Sequence, residues 1–319
     1  MSLLEIKNVN INYKTPTKTV YAVQDVSLTV EEQDSVGIVG ESGSGKSTLA
    51  MGILRLLPEN IIETSGQALI NGQDIFTMDM KTLQDVRWKE MAVVFQKSMN
   101  ALSPVHRIGA QMEDIYRVHY PNEPKDKIKE RIYELLSLVN LSDRVYMSYP
   151  HELSGGMMQR VAIALALIFK PKLLIMDEAT TALDVVTQTQ ILNEIMELEK
   201  SLKIARIMIT HDMSVVSSTC RHVVVMYAGR IMEKGAVEDV LVSPKHPYTQ
   251  GLMNSFPSFT GEKTNLRGIP GSLPDMGIKP TGCVFASRCP KATDRCRGEI
   301  PALTEVKPGW EVACFAPGE

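Results

Sequence analysis

The sequence predicts an α/β fold: an α/β core with an antiparallel β-subdomain, a helical subdomain insertion and a small Cys-rich C-terminal module. Three observations carry this expectation. Short apolar runs at Ser35–Val39, Met91–Phe95, Leu173–Met176 and Ala205–Ile209 alternate with helical stretches, as buried strands of an α/β sheet do. A long segment between Phe95 and Leu173 is dominated by helical periodicity. Cysteine usage then shifts: Cys220 stands alone in the body of the chain, whereas Cys283, Cys289, Cys296 and Cys314 crowd its end.

The β-subdomain comes first. Leu3–Val9 and Tyr21–Val30 alternate apolar with polar residues, and Thr15-Pro16-Thr17 turns between them. Tyr13 and Tyr21 are aromatics here that could stack on a flat ring, although strand aromatics usually serve packing. The apolar run Ser35–Val39 then enters Gly40-Glu41-Ser42-Gly43-Ser44-Gly45-Lys46-Ser47, and Thr48–Leu57 continues as a helix up to Pro58. Every specified place of the pattern G-x-x-x-x-G-K-[ST] is filled, in the order strand, loop, helix. Glycines let the backbone close around an anion, helix-start N–H groups point at it, Lys46 adds a positive charge, and Ser47 is left to hold Mg2+. The core is therefore expected to be a P-loop NTPase core.

Gln67–Ile70 with Asn71-Gly72 predicts a strand and a tight turn, and Met91–Phe95 a buried strand followed at once by Gln96. The helical insertion is placed at about residues 98–165, with Ile128, Ile132, Leu135, Leu136 and Val139 at helical spacing and Pro121 and Pro124 separating two helices. Leu153-Ser154-Gly155-Gly156-Met157-Met158-Gln159 then enters the apolar helix Val161–Phe169. Ser154 can cap that helix, and its exposed start is a second anion site without a lysine of its own.

Leu173–Met176 ends in Asp177-Glu178. Ligands of open parallel sheets sit beyond strand carboxyl ends, so Asp177 is expected to hold Mg2+ through water and Glu178 to orient an attacking water. Thr210-His211-Asp212 closes the next buried strand in the same way. Val223–Tyr227, Ala228-Gly229 and Arg230–Glu233 predict a hairpin that ends the first domain near residue 240, leaving 241–319 as a second region.

Charge and hydropathy narrow the function. Lys and Arg number 34 against 37 Asp and Glu, a formal net charge of −3, and the charges are mixed, which disfavours a nucleic-acid partner. The apolar run Val161–Phe169 is about half the roughly 18 residues of a membrane span, and the start MSLLEIKNVN has no signal-peptide pattern. A cytosolic chain that reaches a membrane only through a partner is expected.

Taken together, these residues resemble the nucleotide-binding subunit of an ATP-binding cassette (ABC) transporter over about residues 3–240. GESGSGKS is similar to the Walker A loop, LLIMDE to Walker B, Gln96 to the Q-loop glutamine, LSGGMMQ to the signature, Thr181-Ala182-Leu183-Asp184 to the D-loop and His211 to the switch histidine. The resemblance implies ATP bound by Ser42, Gly43, Gly45, Lys46, Ser47 and Thr48, and Mg2+ held by Ser47, Gln96 and Asp177. It further implies catalysis by Glu178 with His211 and Gln96, adenine stacking on Tyr13, and Ser154 and Gly156 completing the site of a second subunit. Asp184 belongs to the D-loop.

Ser243–Leu252 and Ile269-Pro270-Gly271-Ser272-Leu273-Pro274 resemble the C-terminal region of oligopeptide and dipeptide importer ATPases, a branch whose relatives also take up nickel. That branch implies a heterodimeric ATPase, with a homodimer as the alternative. It also implies two membrane permeases, an extracellular substrate-binding protein, and a position at the cytoplasmic face of the cell membrane. Soluble DNA-repair or translation ATPases of the superfamily are the competing class, but they carry long insertions between Lys46 and Ser154 or join two cassettes in one chain.

The spacing Cys283-x5-Cys289-x6-Cys296-x17-Cys314 contains no C-x2-C pair. The segment is rich in turn residues and poor in apolar ones, so a metal or cross-link is expected to fold it, and disulfides are disfavoured in a reducing cytosol. Because some members of the resembling branch are associated with [4Fe–4S], an iron–sulfur cluster is the expectation, with Zn2+ or unligated thiols as alternatives.

Overall fold

The computed structural model describes residues 2–95, 102–180, 183–255 and 268–318. Its strands are β1 (Ser2–Lys14), β2 (Thr19–Glu31), β3 (Ser35–Val39), β4 (Ile62–Ile70), β5 (Gln73–Asp74), β6 (Met91–Phe95), β7 (Leu173–Asp177), β8 (Ala205–Ile209), β9 (His222–Tyr227), β10 (Arg230–Ala236), β11 (Thr304–Lys307) and β12 (Trp310–Val312). The helices are α1 (Lys46–Ile53), α2 (Met80–Lys89), α3 (Ile108–His119), α4 (Lys125–Leu138), α5 (Gly155–Ala166), α6 (Val185–Leu202), α7 (Met213–Thr219), α8 (Val237–Val240), α9 (Pro247–Asn254) and α10 (Asp294–Gly298). The chain forms two compact units: Glu31–Asp34 with Thr77–Ile207, and Ser2–Val30 with Ser35–Phe76 and Met208–Glu319.

In the second of these units an antiparallel sheet runs β2-β1-β4-β5. It is longer than the alternation of residues 3–9 suggests. β1 continues to Lys14 through an irregularity between Lys7 and Asn10, where Asn8 takes φ 49°. Asn71 and Gly72 both have positive φ, the geometry of a two-residue hairpin turn, and close β4 onto β5. The same unit pairs β3 with β9 in parallel, then β9, β10, β12 and β11 antiparallel in that order. Ala228 and Gly229 make the expected β9–β10 turn, again with positive φ at both residues.

The other unit holds β6 and β7 in parallel register from Met91↔Leu173 to Phe95↔Asp177. The helix expected from apolar spacing is α4, whose Ile128, Ile132, Leu135 and Leu136 are fully buried. α5 begins at Gly155, ahead of the apolar run, because Ser154 caps it by accepting a hydrogen bond from the Met157 N–H at 3.3 Å. Arg160 grips Glu194 with two bonds of 3.0 and 2.7 Å and joins α5 to α6.

The C-terminal region packs around Glu233, a fully buried carboxylate on β10. It accepts from the Lys245 N–H at 2.8 Å, the His246 N–H at 3.0 Å and Trp310 Nε1 at 2.9 Å, so the charge is satisfied by three donors and ties β12 to β10. Tyr227, Tyr248, Phe285 and His246 form an aromatic cluster with ring centroids 4.6 to 5.8 Å apart.

Burial holds the His246 imidazole neutral, with its pKa pushed from 6.5 down to about 3. The unfolded chain therefore binds one more proton than the folded chain between those values. The stability gained by keeping His246 neutral is complete above pH 6.5 and is lost as pH falls toward 3. The loss amounts to up to about 1.4 kcal/mol per pH unit. Thermal unfolding at pH 7 and pH 5 should show a larger loss for the wild-type chain than for His246→Asn, whose side-chain oxygen can replace the Nδ1 that accepts from the Tyr248 N–H at 3.0 Å but does not titrate. Equal losses would remove His246 as the cause.

Candidate functional site

The loop between β3 and α1 is shaped by backbone that only glycine tolerates. Gly40, Gly43 and Gly45 have φ of 147°, 81° and 97°. A Cβ on Gly40 would lie 2.0 Å from the Met226 carbonyl oxygen, and one on Gly45 2.3 Å from that of Ala22. Lys46 opens α1 and is only 5% exposed. Its Nζ donates to the carbonyls of Gly40 at 2.8 Å and Glu41 at 2.9 Å and to Ser44 Oγ at 3.2 Å, so the ammonium is held inside the loop. Ser42, Gly43 and Ser47 face solvent, and Thr48 Oγ1 lies 3.3 Å from the Tyr13 hydroxyl. The loop thus wraps around the Lys46 ammonium, and the end of β1 is joined to it through Thr48.

His211 follows β8 and shares a cavity of about 260 Å³ with Gly40, Glu41, Met213 and Ile269. Loop, Tyr13 and His211 therefore belong to one compact unit. Asp177, Glu178, Ser154, Gly156 and Asp184 belong to the other.

There, Asp177 ends β7 and is 7% exposed, while Glu178 immediately adopts φ 48°. A left-handed glutamate after a fully buried strand is a strained turn, a conformation that collects at working sites. A Cβ on Gly156 would come within 2.8 Å of Thr187 Cγ2, so any larger residue there requires the Thr187 side chain to shift. Asp184 caps α6, accepting from Thr187 N–H at 3.0 Å and Thr187 Oγ1 at 2.7 Å, and these bonds hold its carboxyl below the usual range. Gln96, Thr181 and Ala182 lie outside the described residues.

The glycine cradle and its enclosed lysine have known counterparts. A family model described as ABC transporter matches residues 23–181. The chain is 42% identical, over 100% of its length and 94% of the relative's, to the oligopeptide transport ATP-binding protein OppD of Escherichia coli. It belongs to the ABC transporter ATP-binding family.

A second model, the oligopeptide/dipeptide transporter C-terminal region, matches residues 232–296. A probable peptide ABC transporter ATP-binding protein of Sinorhizobium fredii is 41% identical over 99% of this chain and 96% of its own. The E. coli dipeptide transport ATP-binding protein DppD is 38% identical over 99% and 97%. Among solved structures, a dimeric post-hydrolysis state of the ATP-binding cassette MJ0796, bound to ADP and Pi, superposes with TM-score 0.65 at 28% identity, covering 73% of this chain and 98% of that one. The chain is an ABC-type ATPase with the P-loop fold.

The iron–sulfur expectation is corrected. Among the described residues, no group of three or more His, Cys, Asp or Glu side chains is placed to hold a metal ion, so neither the [4Fe–4S] cluster nor its Zn2+ alternative is supported. Cys283, Cys289, Cys296 and Cys314 are free thiols bordering one cavity. Burial pushes the thiols of Cys283, Cys289 and Cys314 up, while a hydrogen bond from Thr293 draws Cys296 down. The segment contributes Phe285 to the aromatic cluster and makes a set of polar contacts that sequence spacing does not signal.

Foremost among those contacts is Arg288, 247 residues from its partner Glu41 in the phosphate loop, which it meets at 2.8 and 3.0 Å. Glu41 in turn holds the guanidinium above its ordinary pKa. Motif reading passes over both residues, because Glu41 occupies an unspecified place of the loop pattern and Arg288 a lone basic place between cysteines.

Gly45→Ala should weaken ATP binding at least about tenfold and cost about 1–3 kcal/mol of stability, because the new methyl meets backbone and the φ is left-handed. Gly72→Ala, with φ 80° but nothing within 4 Å, should cost stability alone. Equilibrium ATP titration beside thermal unfolding separates the two. Equal ATP affinity in both variants would contradict the cradle geometry.

Proposed function

We propose that the chain is the ATP-hydrolysing subunit that powers import of di- and oligopeptides through a membrane ABC transporter, bound peripherally at the cytoplasmic face. The observation that carries this reading is similarity over the full chain, including residues 232–296, to proteins named for oligopeptide and dipeptide transport. No helix among the described residues is long and apolar enough to cross a membrane, in keeping with a subunit that docks on permeases. Two permeases, a second ATPase subunit of different sequence and an extracellular substrate-binding protein complete the assembly.

The loop amides and Lys46 hold the ATP phosphates, with Ser42, Gly43, Gly45, Ser47 and Thr48 around them, and Tyr13 lies against adenine. Glu178 orients the water that attacks the γ-phosphate in line, and His211 contacts the transferred phosphoryl group. Ser47, Asp177 and Gln96 supply the hard oxygen donors that suit Mg2+, which when bound neutralises phosphate charge. An exposed serine at a helix start and a buried aspartate at a strand end are compatible with that role. Ser154 and Gly156, at the start of α5, receive the γ-phosphate of the partner's nucleotide. Each site is then shared between subunits, and Asp184 lies in the segment that joins them.

Glu178→Gln should reduce hydrolysis by about a hundredfold or more while ATP binding persists, since only the water-orienting carboxylate is lost. Near-wild-type turnover in the assembled transporter would remove Glu178 from catalysis. The transport reading is tested by capturing the chain from solubilised membranes. Co-purifying permeases and ATP-dependent peptide uptake after reconstitution are expected, and co-purification with nucleic acid or ribosomes would overturn it.

A further inference from the structure

We infer that Arg288, from the cysteine-rich segment, is a positioning residue for the nucleotide loop: by clamping Glu41 it sets the loop backbone and the place of Lys46, so the C-terminal region tunes ATP affinity.

All three polar functions of Glu41 are engaged. Its carboxylate takes both terminal nitrogens of Arg288 at 2.8 and 3.0 Å, its N–H donates to the Tyr248 hydroxyl at 2.9 Å, and its carbonyl accepts from Lys46 Nζ at 2.9 Å. Moving Glu41 therefore moves a hydrogen-bond partner of Lys46. The clamp itself is rigid. The Arg288 side chain is 6% exposed, and its remaining donors reach the Pro270 carbonyl at 2.9 Å, the Ile269 carbonyl at 3.0 Å and the Tyr227 hydroxyl at 3.1 Å. Tyr227 ends β9, the parallel neighbour of β3, so the guanidinium is anchored on the sheet that feeds the loop. A planar fork suits this site and a point charge does not, so lysine is an incomplete substitute.

A second set of contacts continues the same attachment along the loop. Ile269 lines the cavity shared by Gly40, Glu41 and His211. Leu273 Cδ1 lies 3.3 Å from where a Gly43 Cβ would be. Asp275 pairs with Lys18 at 3.1 Å, and the Met276 carbonyl accepts from the Tyr21 N–H at 2.8 Å. Ile269–Met276 thus runs from the His211 side of the loop to the β1–β2 hairpin, with Arg288 pinning its first two carbonyls.

The test is a double-mutant cycle on the purified full chain, read as the ATP dissociation constant with thermal unfolding alongside. Arg288→Met should weaken ATP binding about tenfold, Glu41→Gln by a similar factor, and the double variant no further than the worse single one, because both remove one interaction. Arg288→Lys should restore part of the loss. If Arg288→Met fails to fold, Glu41→Gln and Arg288→Lys carry the comparison, each expected to bind ATP more weakly than wild type. Affinities within about twofold of wild type, or single-variant factors that multiply in the double variant, would overturn the inference and leave Arg288 as a fold contact only.

Discussion

In the loop Gly40–Gly45, the three glycines adopt dihedrals that side chains resist, and the surrounding main chain closes on it from two sides. The Met226 carbonyl stands against Gly40 and the Ala22 carbonyl against Gly45, one from the end of β9 and the other from β2. Because those neighbours are backbone in buried strands, the loop cannot relax around a substitution. Its shape is set by the sheet around it, and Lys46, folded back onto three loop oxygens, places a positive charge within it. The loop backbone need not move when phosphate arrives; only the Lys46 ammonium must exchange loop oxygens for phosphate oxygens.

The C-terminal region depends on the same frame. A segment with few apolar residues is held by a handful of polar side chains whose partners lie far away in sequence: Glu233 with Trp310, Arg288 with Glu41, Lys18 with Asp275. Truncating Trp310 or Glu41 would leave the buried Glu233 carboxylate or Arg288 guanidinium short of a partner, which makes these two attachments costly to lose, whereas the Lys18–Asp275 pair is solvent-exposed and contributes little.

Features local in the chain are legible in the sequence alone. The phosphate loop, the Asn71-Gly72 and Ala228-Gly229 turns and the buried face of α4 each follow from residues within a few positions of one another. The start of α5 at Gly155 follows from the capping chemistry of Ser154, whereas the apolar run marks only its buried part. The left-handed Glu178 and the Thr187 methyl that a Cβ on Gly156 would meet at 2.8 Å are products of tertiary packing and carry no spacing signal. The cysteines mislead for the same reason. Their number suggests a ligand set, but no such group is placed to hold a metal ion among the described residues, and Phe285, between two of them in sequence, provides the core contact.

The central claim is that a preformed backbone cradle at residues 40–48 receives the ATP phosphates. Amide hydrogen exchange on the full chain, with and without Mg2+ and ATP, addresses it most directly. The expected result is that nucleotide slows exchange most strongly in peptides covering Gly40–Thr48, while β3 and β9 are already protected without it. Unchanged exchange across Gly40–Thr48 at saturating ATP would contradict the account.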